Sequence, residues 1–568
     1  MQRRQLMQVV RGGLLGLLAL GFSGRLFDAA GMPPYPGDGK SPRYSPQMAA
    51  AVAKYDSLRA GFKERGICQP GGLAQGAHVT GTFHILAICV DFSDKIASTP
   101  SFKFDTLIFG VQAGTVHDFY REITYGSIDM VTVNLPSSLG WQRLPQTYAY
   151  YVNNNYGLGT YPHNTQKLTE DLADLIDPLV NFANYDNDGD GYVDGLVIVH
   201  AGRGAEFSGQ LTDIWSHKWG ISPRLKDGVY VSAYSIQPEY WTSPGDITIG
   251  VYAHEIGHLF GLPDLYDVDG SSRGIGRWSL MANGAWNGTL GSSPAHMDAW
   301  CKYQAGFLTP TNVGGNTSGA VLPRVEDSPT VFRLWANGAV GNQYFLIENR
   351  QKFGYDTGLP SAGLLIWHID DTQGSNTNEW YPGHTSSGHY WVALEQADAL
   401  WELEQNTDYG DTGDPFPGST SKTTFSAATT PNSNDYTGTP TYVTVTNISP
   451  SGSTMTCDFM VSLVADVLDD HGRDDITYTL DLSNAPNPFN PATTISYTTD
   501  GTQPVTLDVF NILGARVAGL VSGASTPGTH QIVWDGRDDH GQGVASGVYL
   551  ARLDTGRSHV TRKMVLIR

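Results

Sequence analysis

The stretch 253-AHEIGHLFGLPDLYD-267 decides how the central part of this chain folds. Its apolar residues predict a helix, on which His254 and His258 lie four positions apart and therefore on one face. Two imidazole nitrogens placed in this way can bind one zinc ion at about 2.0–2.1 Å. Glu255 lies beside them, where a carboxylate can accept a proton from a metal-bound water.

The residues that follow complete this pattern. Gly261 predicts the end of the helix, because glycine readily adopts the left-handed conformation of a reversing chain. Asp264 follows His258 by six residues, the spacing at which a third ligand returns to the metal in the metzincin pattern. A carboxylate oxygen binds zinc at about 2.0–2.2 Å, so the two histidines and Asp264 are the expected ligands. Met281, within 277-RWSLMANGAW-286, lies at a spacing suited to a methionine-containing turn beneath the metal.

Three other interpretations of these residues remain open. The helix could be a buried amphipathic helix with incidental histidines. Asp264 could be an ordinary turn residue, with water or another side chain as the third ligand. Tyr266 is close enough in sequence to support an oxyanion, although a packing role would also explain it.

The segments AHEIGHLFGLPDLYD and WSLMANGAWNG resemble the immune-inhibitor-A-like (thuringilysin-type) metalloproteases, in which HExxHxxGxxD supplies two histidines and an aspartate to zinc. The resemblance implies an α/β metzincin-like protease domain. It also implies an endopeptidase in which zinc polarises the scissile carbonyl and Glu255 deprotonates the attacking water. It covers residues 81 to 430, including the segments 115–129, 206–209, 215–219, 343–370, 395–398 and 410–418.

Changes in periodicity divide the chain into domains. Mixed helix and strand patterns over residues 81–312 predict the α/β catalytic domain. Short alternating runs between Gly, Asp and Asn clusters over 313–464 predict an all-β accessory domain. The acidic stretch 465–477 predicts a linker, and regular short strands over 478–568 predict an Ig-like β-sandwich.

The N-terminus has the features of an export signal. Arginines precede the apolar run 13-GLLGLLALGF-22, which is short for a permanent membrane span. Residues 1–30 are therefore predicted to be a signal peptide, with a buried N-terminal helix as the alternative. Residues 31–80 are predicted to be a propeptide or linker with a helix over 47–66. Cys68 in this segment could bind zinc in a latent precursor, or could be a surface or disulfide cysteine.

The loop 186-DNDGDGYVD-194 predicts a structural calcium site. Val197 stands where an EF-hand would have a bidentate glutamate, so the pattern is incomplete, and an exposed acidic turn is the alternative. Carboxylates this close repel one another unless a hard cation neutralises them, and calcium here would brace the following strand. The expected ligands, at positions 1, 3, 5, 7 and 9 of an EF-hand-like loop, are Asp186, Asp188, Asp190, the Tyr192 carbonyl and Asp194.

A second resemblance covers residues 478–568. The motifs NPFNPATTISY, DVFNILGARV, WDGRDDHGQGVASGVYLARL and RKMVLIR resemble the C-terminal sorting domain of cargo of the type IX secretion system. The resemblance implies interaction with the type IX machinery and delivery to the cell surface or the medium. Without it, the strand pattern predicts only a small β-sandwich that could bind carbohydrate or protein.

Composition and motifs together favour one function. The formal net charge of −21 argues against a nucleic-acid partner, which would need clustered Lys and Arg. The sequence predicts a secreted zinc endopeptidase that acts on proteins or peptides, contains structural calcium and has no stable transmembrane anchor. The alternative is a cell-surface adhesin or binding protein with a structural metal site. Glu255 favours the enzyme, because a structural site needs no base beside its metal.

Overall fold

A computed structural model describes eight stretches of the chain: 30–36, 80–386, 388–462, 481–499, 503–511, 514–526, 528–554 and 559–568. The chain divides into two compact units, residues 1–464 and 465–568. The helix predicted over 47–66, Cys68 and the linker predicted over 465–477 lie outside the described residues, as does the predicted signal peptide except for its last residue. Among the residues described, no helix is long and apolar enough to span a bilayer.

The first unit combines helices with several sheets. Its helices, numbered along the described chain, are α1 (Phe102–Phe109), α2 (Val116–Ile123), α3 (Pro136–Leu139), α4 (Tyr148–Val152), α5 (Thr165–Ile176), α6 (Ala205–Ser208), α7 (Ile249–Gly257) and α8 (Ala299–Gln304). The strands of its α/β part are β1 (Ala30–Gly31), β2 (Gly81–His84), β3 (Leu86–Asp91), β4 (Ile128–Val131), β5 (Gln142–Arg143), β6 (Leu196–Arg203), β7 (His217–Lys226) and β8 (Val229–Tyr240).

A six-stranded sheet with the order β1-β7-β8-β6-β3-β5 forms the centre of the α/β part. β3, β5, β6 and β8 are parallel, whereas β7 runs antiparallel to β8, and β1 antiparallel to β7. Successive side chains of β3 point to opposite faces, as the period of two requires. Ala87 and Cys89 enter one hydrophobic core, and Leu86, Ile88 and Val90 enter the other. Cys89 is a free thiol that is buried in the first of these cores.

Helix α7 carries the histidine motif and packs on one face of this sheet. Every residue of α7 is buried, and the Tyr120 hydroxyl of α2 donates to its Ala253 carbonyl at 2.7 Å. The predicted helix was longer, from 247 to 261. The α-helix ends at Gly257, and a 3₁₀ turn over His258–Phe260 continues it. Gly261 has φ 78°, the left-handed conformation expected where the chain reverses.

The β-rich part of the first unit contains a five-stranded sheet, β14-β13-β12-β11-β9, and a three-stranded sheet, β10-β16-β15. Leu364 and Ile366 of β13 face the core between these sheets, whereas Leu365 and Trp367 join the core that contains α7. The core of the α/β part therefore continues into this region. Its strands are β9 (Thr311–Asn312), β10 (Thr317–Pro323), β11 (Phe332–Leu334), β12 (Gln343–Arg350), β13 (Gly363–Asp370), β14 (Val392–Leu394), β15 (Thr444–Thr446) and β16 (Thr454–Met460).

The second unit is a sandwich of two sheets, β17-β18-β21 and β20-β19-β22-β23. Alternate residues of its strands, such as Leu507 and Val509, enter the core of this unit. The regular short strands predicted for this part of the chain are confirmed. They are β17 (Asp481–Ala485), β18 (Thr493–Thr499), β19 (Gln503–Asn511), β20 (Arg516–Ser525), β21 (Gly528–Trp534), β22 (Gly547–Asp554) and β23 (His559–Leu566).

Candidate metal centre

The fold brings together the three ligands predicted for zinc. Asp264 Oδ1 lies 3.1 Å from His254 Nε2 and 3.3 Å from His258 Nε2, and the two Nε2 atoms are 3.2 Å apart. Ligand atoms around a tetrahedral zinc with bonds of about 2.05 Å are separated by roughly 3.3 Å. The spacing of the three atoms therefore fits one zinc ion.

Backbone carbonyls fix the orientation of both imidazoles. His254 Nδ1 lies 2.9 Å from the Leu280 oxygen, and His258 Nδ1 lies 2.9 Å from the Leu262 oxygen. If each Nδ1 donates to its carbonyl, both Nε2 lone pairs point at the Asp264 carboxylate and need a cation between them. Burial opposes ionisation of Asp264, but the two histidines outweigh it and hold the pKa of its carboxyl below the usual range.

Glu255 is fully buried beside these ligands. Burial raises the pKa of its carboxyl well above the usual value, and the charges of Asp264 and Glu206 add to this. Within the described chain, neither carboxylate oxygen of Glu255 has a hydrogen-bond partner. Buried carboxylates usually have partners, so this one is suited to a water molecule at the metal.

Met281 lies directly against the motif helix. A Cβ atom added to Gly257 would be 2.5 Å from Met281 Sδ, so the lack of a side chain at this position lets Met281 pack directly on the helix between the two histidines. The Met281 carbonyl accepts a hydrogen bond from Leu265 N at 2.7 Å, next to Asp264. The turn at residues 280–281 thus contacts the helix and supports the segment that carries the third ligand.

The β-rich part of the chain holds this turn in place, a role that sequence reasoning missed. Arg350 Nη1 donates to the Trp278 carbonyl at 3.2 Å, and Trp278 Nε1 donates to Asp414 Oδ2 at 2.9 Å. The Arg350 guanidinium also makes two hydrogen bonds to Asp356, of 2.8 and 2.9 Å. The only signal in the sequence was that the segments 343–370 and 410–418 share the resemblance to the protease family.

Tyr266 and the N-terminal segment meet at the metal centre. The Tyr266 hydroxyl donates to the Gly31 carbonyl at 2.5 Å, and that oxygen lies 3.3 Å from His254 Nε2. Gly31 N donates to Asp264 Oδ2 at 3.3 Å. The Tyr266 hydroxyl can therefore donate to a peptide carbonyl located at the ligands, besides the packing that its buried ring provides.

The predicted calcium loop brings three of its carboxylates together. Oxygens of Asp186, Asp188 and Asp194 lie within 4.8 Å of one another. Asp194 is 1% exposed, and its Oδ1 is buried without a hydrogen-bond partner among the described residues. Burial and the neighbouring aspartates raise the pKa of its carboxyl to about 7. Asp190, which was predicted as a further ligand, is outside this group, and its Oδ1 accepts the Tyr192 N–H at 2.9 Å.

A third acidic cluster lies in the β-rich part of the first unit, in the region of Asp411 and Asp414 that the sequence offers as a weaker calcium candidate. Oxygens of Asp398, Glu402 and Asp411 also lie within 4.8 Å of one another, although these residues come from different turns. Their scattered positions form no local motif.

Comparisons with known proteins agree with this geometry. Residues 80–316 match the catalytic domain of the immune inhibitor A peptidases (M6), and residues 489–557 match the FlgD Ig-like domain. The chain is 31% identical over 232 residues to the pre-pro-metalloprotease PrtV of Vibrio cholerae, a match that covers 34% of this chain and 24% of PrtV. It is 37% identical over 155 residues to immune inhibitor A of Bacillus thuringiensis subsp. alesti, covering 25% and 22% of the two chains.

The chain spans about a quarter of the length of these curated relatives. Among solved structures, dimeric latent PorU of Porphyromonas gingivalis matches with a TM-score of 0.15 and 17% identity, over 21% of this chain and 14% of that one. The chain thus contains, within residues 80–316, a region that is similar to the catalytic domain of the immune inhibitor A peptidases (M6) and includes the three candidate ligands, and a C-terminal region that is similar to the FlgD Ig-like domain.

Proposed function

We propose that the protein is a secreted zinc endopeptidase with a metzincin-like catalytic domain. The observation that carries this proposal is the placement of Glu255, whose buried carboxylate lies without a partner in the described chain beside His254, His258 and Asp264. A zinc ion held by these three residues would acidify a water molecule and polarise the scissile carbonyl. Glu255 would accept the proton of that water and pass it to the leaving amine.

Tyr266 has a second role in the proposed mechanism. Its hydroxyl donates to a peptide carbonyl next to the ligands, so it is in position to stabilise the negative charge that develops on the scissile oxygen. Its largely buried ring limits movement of the hydroxyl. The bound segment thus supports the catalytic role over a packing role alone.

The proposed calcium ion would bind Asp186, Asp188 and Asp194, with Asp190 and the Tyr192 carbonyl as further candidate ligands. The loop is tied to the sheets on both sides. Asn187 accepts a hydrogen bond from His84 N at 2.7 Å, and Val193 N donates to the Tyr230 carbonyl at 3.0 Å. A cation here would hold β2, β6 and β8 together at one edge without taking part in hydrolysis.

The adhesin alternative has less support. A metal site that only stabilises a fold has all its positions filled by protein ligands and needs no base. Here three candidate protein ligands lie beside a buried carboxylate, a set that matches catalytic zinc sites rather than the four protein ligands of structural ones. Export is supported by the N-terminal apolar run and by the C-terminal Ig-like unit, which we propose is read by the type IX machinery.

The deciding experiment compares the zinc-supplied protein with Glu255→Gln on casein, with and without a chelator. Loss of the general base should lower the rate by about 10²–10⁴-fold while zinc content stays unchanged. Casein cleavage that persists in the chelator, or no cleavage by the zinc-supplied wild type, would exclude the proposed function. Equal rates for wild type and Glu255→Gln would exclude the role of this residue.

A further inference from the structure

Residues 30 and 31 form β1 at the edge of the central sheet, and residues 32–36 continue from it next to the metal centre. Ala30 and Gly31 pair antiparallel with Lys218 and His217 of β7, and Met32 N donates to the Ser216 carbonyl at 3.2 Å. These contacts use backbone atoms alone. β7 can therefore receive any extended peptide in the same way.

Three further hydrogen bonds hold the backbone of residues 32–35. Two tryptophan side chains donate to its carbonyls, and its next amide donates to helix α6. The contacts are Trp215 Nε1 to Met32 O (2.7 Å), Trp286 Nε1 to Pro33 O (2.8 Å) and Tyr35 N to Glu206 O (2.9 Å).

The peptide bond between Gly31 and Met32 lies across the proposed catalytic groups. Its oxygen accepts the hydrogen bond from Tyr266 and lies 3.3 Å from His254 Nε2. Its N–H donates to the Ser216 carbonyl at the sheet edge, at 3.2 Å. A substrate needs its scissile carbonyl at this position, beside the proposed metal ligands and the Tyr266 hydroxyl.

The space around this bond differs on its two sides. A Cβ at residue 31 would lie 2.9 Å from the Ser216 oxygen and 3.4 Å from His217 Cβ. His217 belongs to β7, which is hydrogen-bonded on its other side to β8. A side chain larger than hydrogen is therefore crowded there. Met32, by contrast, is fully buried in the hydrophobic core that contains α7.

We propose that the enzyme prefers peptide bonds with glycine on the N-terminal side and a large apolar residue on the C-terminal side, and that residues 30–36 occupy the cleft as a peptide of this kind. The inference rests on the proposed peptidase function. Tyr35 adds a weaker preference for an aromatic residue three positions after the apolar one, because its ring lies 5.2 Å from Phe207 and 5.0 Å from Trp286. A substrate and this segment cannot occupy the cleft together.

The test uses the full-length, zinc-supplied protein and variants of the segment. Met32→Asp places a charge in an apolar pocket, and Gly31→Val crowds the Ser216 carbonyl, so both should free the cleft and raise hydrolysis of a quenched peptide by roughly tenfold. Met32→Leu keeps an apolar side chain and should keep the segment bound. Pro34→Ser is the matched control, since no contact of the argument involves Pro34. Melting temperatures identify any variant that fails to fold.

Each protein is then incubated with peptides from a proteome digest, and the cleaved bonds are identified by mass spectrometry. We expect enrichment of glycine before the cleaved bond and of Met, Leu or Phe after it. Cleavage without either enrichment, or no rate difference between wild type and both activating variants, would overturn this proposal while leaving the peptidase function intact. Absence of chelator-sensitive casein cleavage in every folded variant would overturn both.

Discussion

Asp264 Oδ1 lies against both imidazoles, so this residue is expected to contribute strongly to metal affinity. Asp264→Ala should remove one of three protein ligands and reduce zinc content sharply, with activity lost in proportion. Zinc per protein is measured by mass spectrometry of the metal after dialysis. Asp327→Ala, which removes a half-exposed surface carboxylate paired with Arg324, is the matched control and should keep full zinc content. Unchanged zinc in Asp264→Ala would refute its role as a ligand.

Two buried histidines outside the metal centre should make the fold sensitive to acid. Burial lowers the pKa of His200 to about 3 and that of His217 to about 4, whereas an unfolded histidine titrates near 6.5. The unfolded chain therefore binds more protons below that pH. The contribution of each histidine to the free energy of unfolding is complete above pH 6.5. As the pH is lowered further, this free energy falls by about 1.4 kcal/mol per pH unit for each histidine, until the pKa of the folded state is reached.

This dependence is measured by urea unfolding between pH 7 and pH 5 at constant zinc and calcium. His200→Phe removes one titrating group, and the slope of stability against pH should become shallower by roughly 1.4 kcal/mol per unit. His384→Phe is a control, because His384 is only partly buried. A variant slope equal to that of wild type would show that His200 does not remain neutral in the fold.

At the scale of elements, the sequence predicted what is encoded locally. The helix that carries the histidines, the regular strands in the part of the chain after residue 478 and the ligand spacing all follow from periodicity or short motifs. The end of the α-helix at residue 257 was missed, because the 3₁₀ turn that follows has only three residues. A turn this short cannot be told from a further α-helical turn by the spacing of its apolar residues. The contact between Gly31 and Asp264 spans 233 residues and leaves no local pattern.

The loop at 186–194 is predicted to bind calcium and so to stabilise the fold. Calcium at a hundredfold excess over its dissociation constant should stabilise the fold by about 2.7 kcal/mol, measured as a rise in melting temperature. Asp188 is exposed, so Asp188→Ala should fold normally but lose this rise. Asp327→Ala again serves as the control. An identical calcium response in wild type and Asp188→Ala would contradict the site.

For the whole molecule, the metal centre depends on parts of the chain far from the motif. Arg350 lies fully buried between Glu348, Asp356 and the Trp278 carbonyl, so the turn beneath the metal is anchored by the β-rich sheet. Separating such a buried cation from its partners costs roughly 3–5 kcal/mol. The β-rich region is therefore a structural part of the catalytic unit, which explains why the first compact unit extends to residue 464.

The second unit, by contrast, should be dispensable for catalysis. Residues 465–568 form a compact unit with a core of their own, and none of the proposed ligands lies in it. In a host with type IX secretion machinery, the full chain should reach the medium or cell surface, whereas a chain that ends at residue 464 should stay in the periplasm. Casein cleavage per zinc-loaded molecule should be the same for both. Immunodetection in cell fractions measures the first expectation, and the purified proteins measure the second. Release of the shortened chain at the wild-type level would exclude sorting by this unit, and loss of its activity would show that the unit supports the catalytic domain instead.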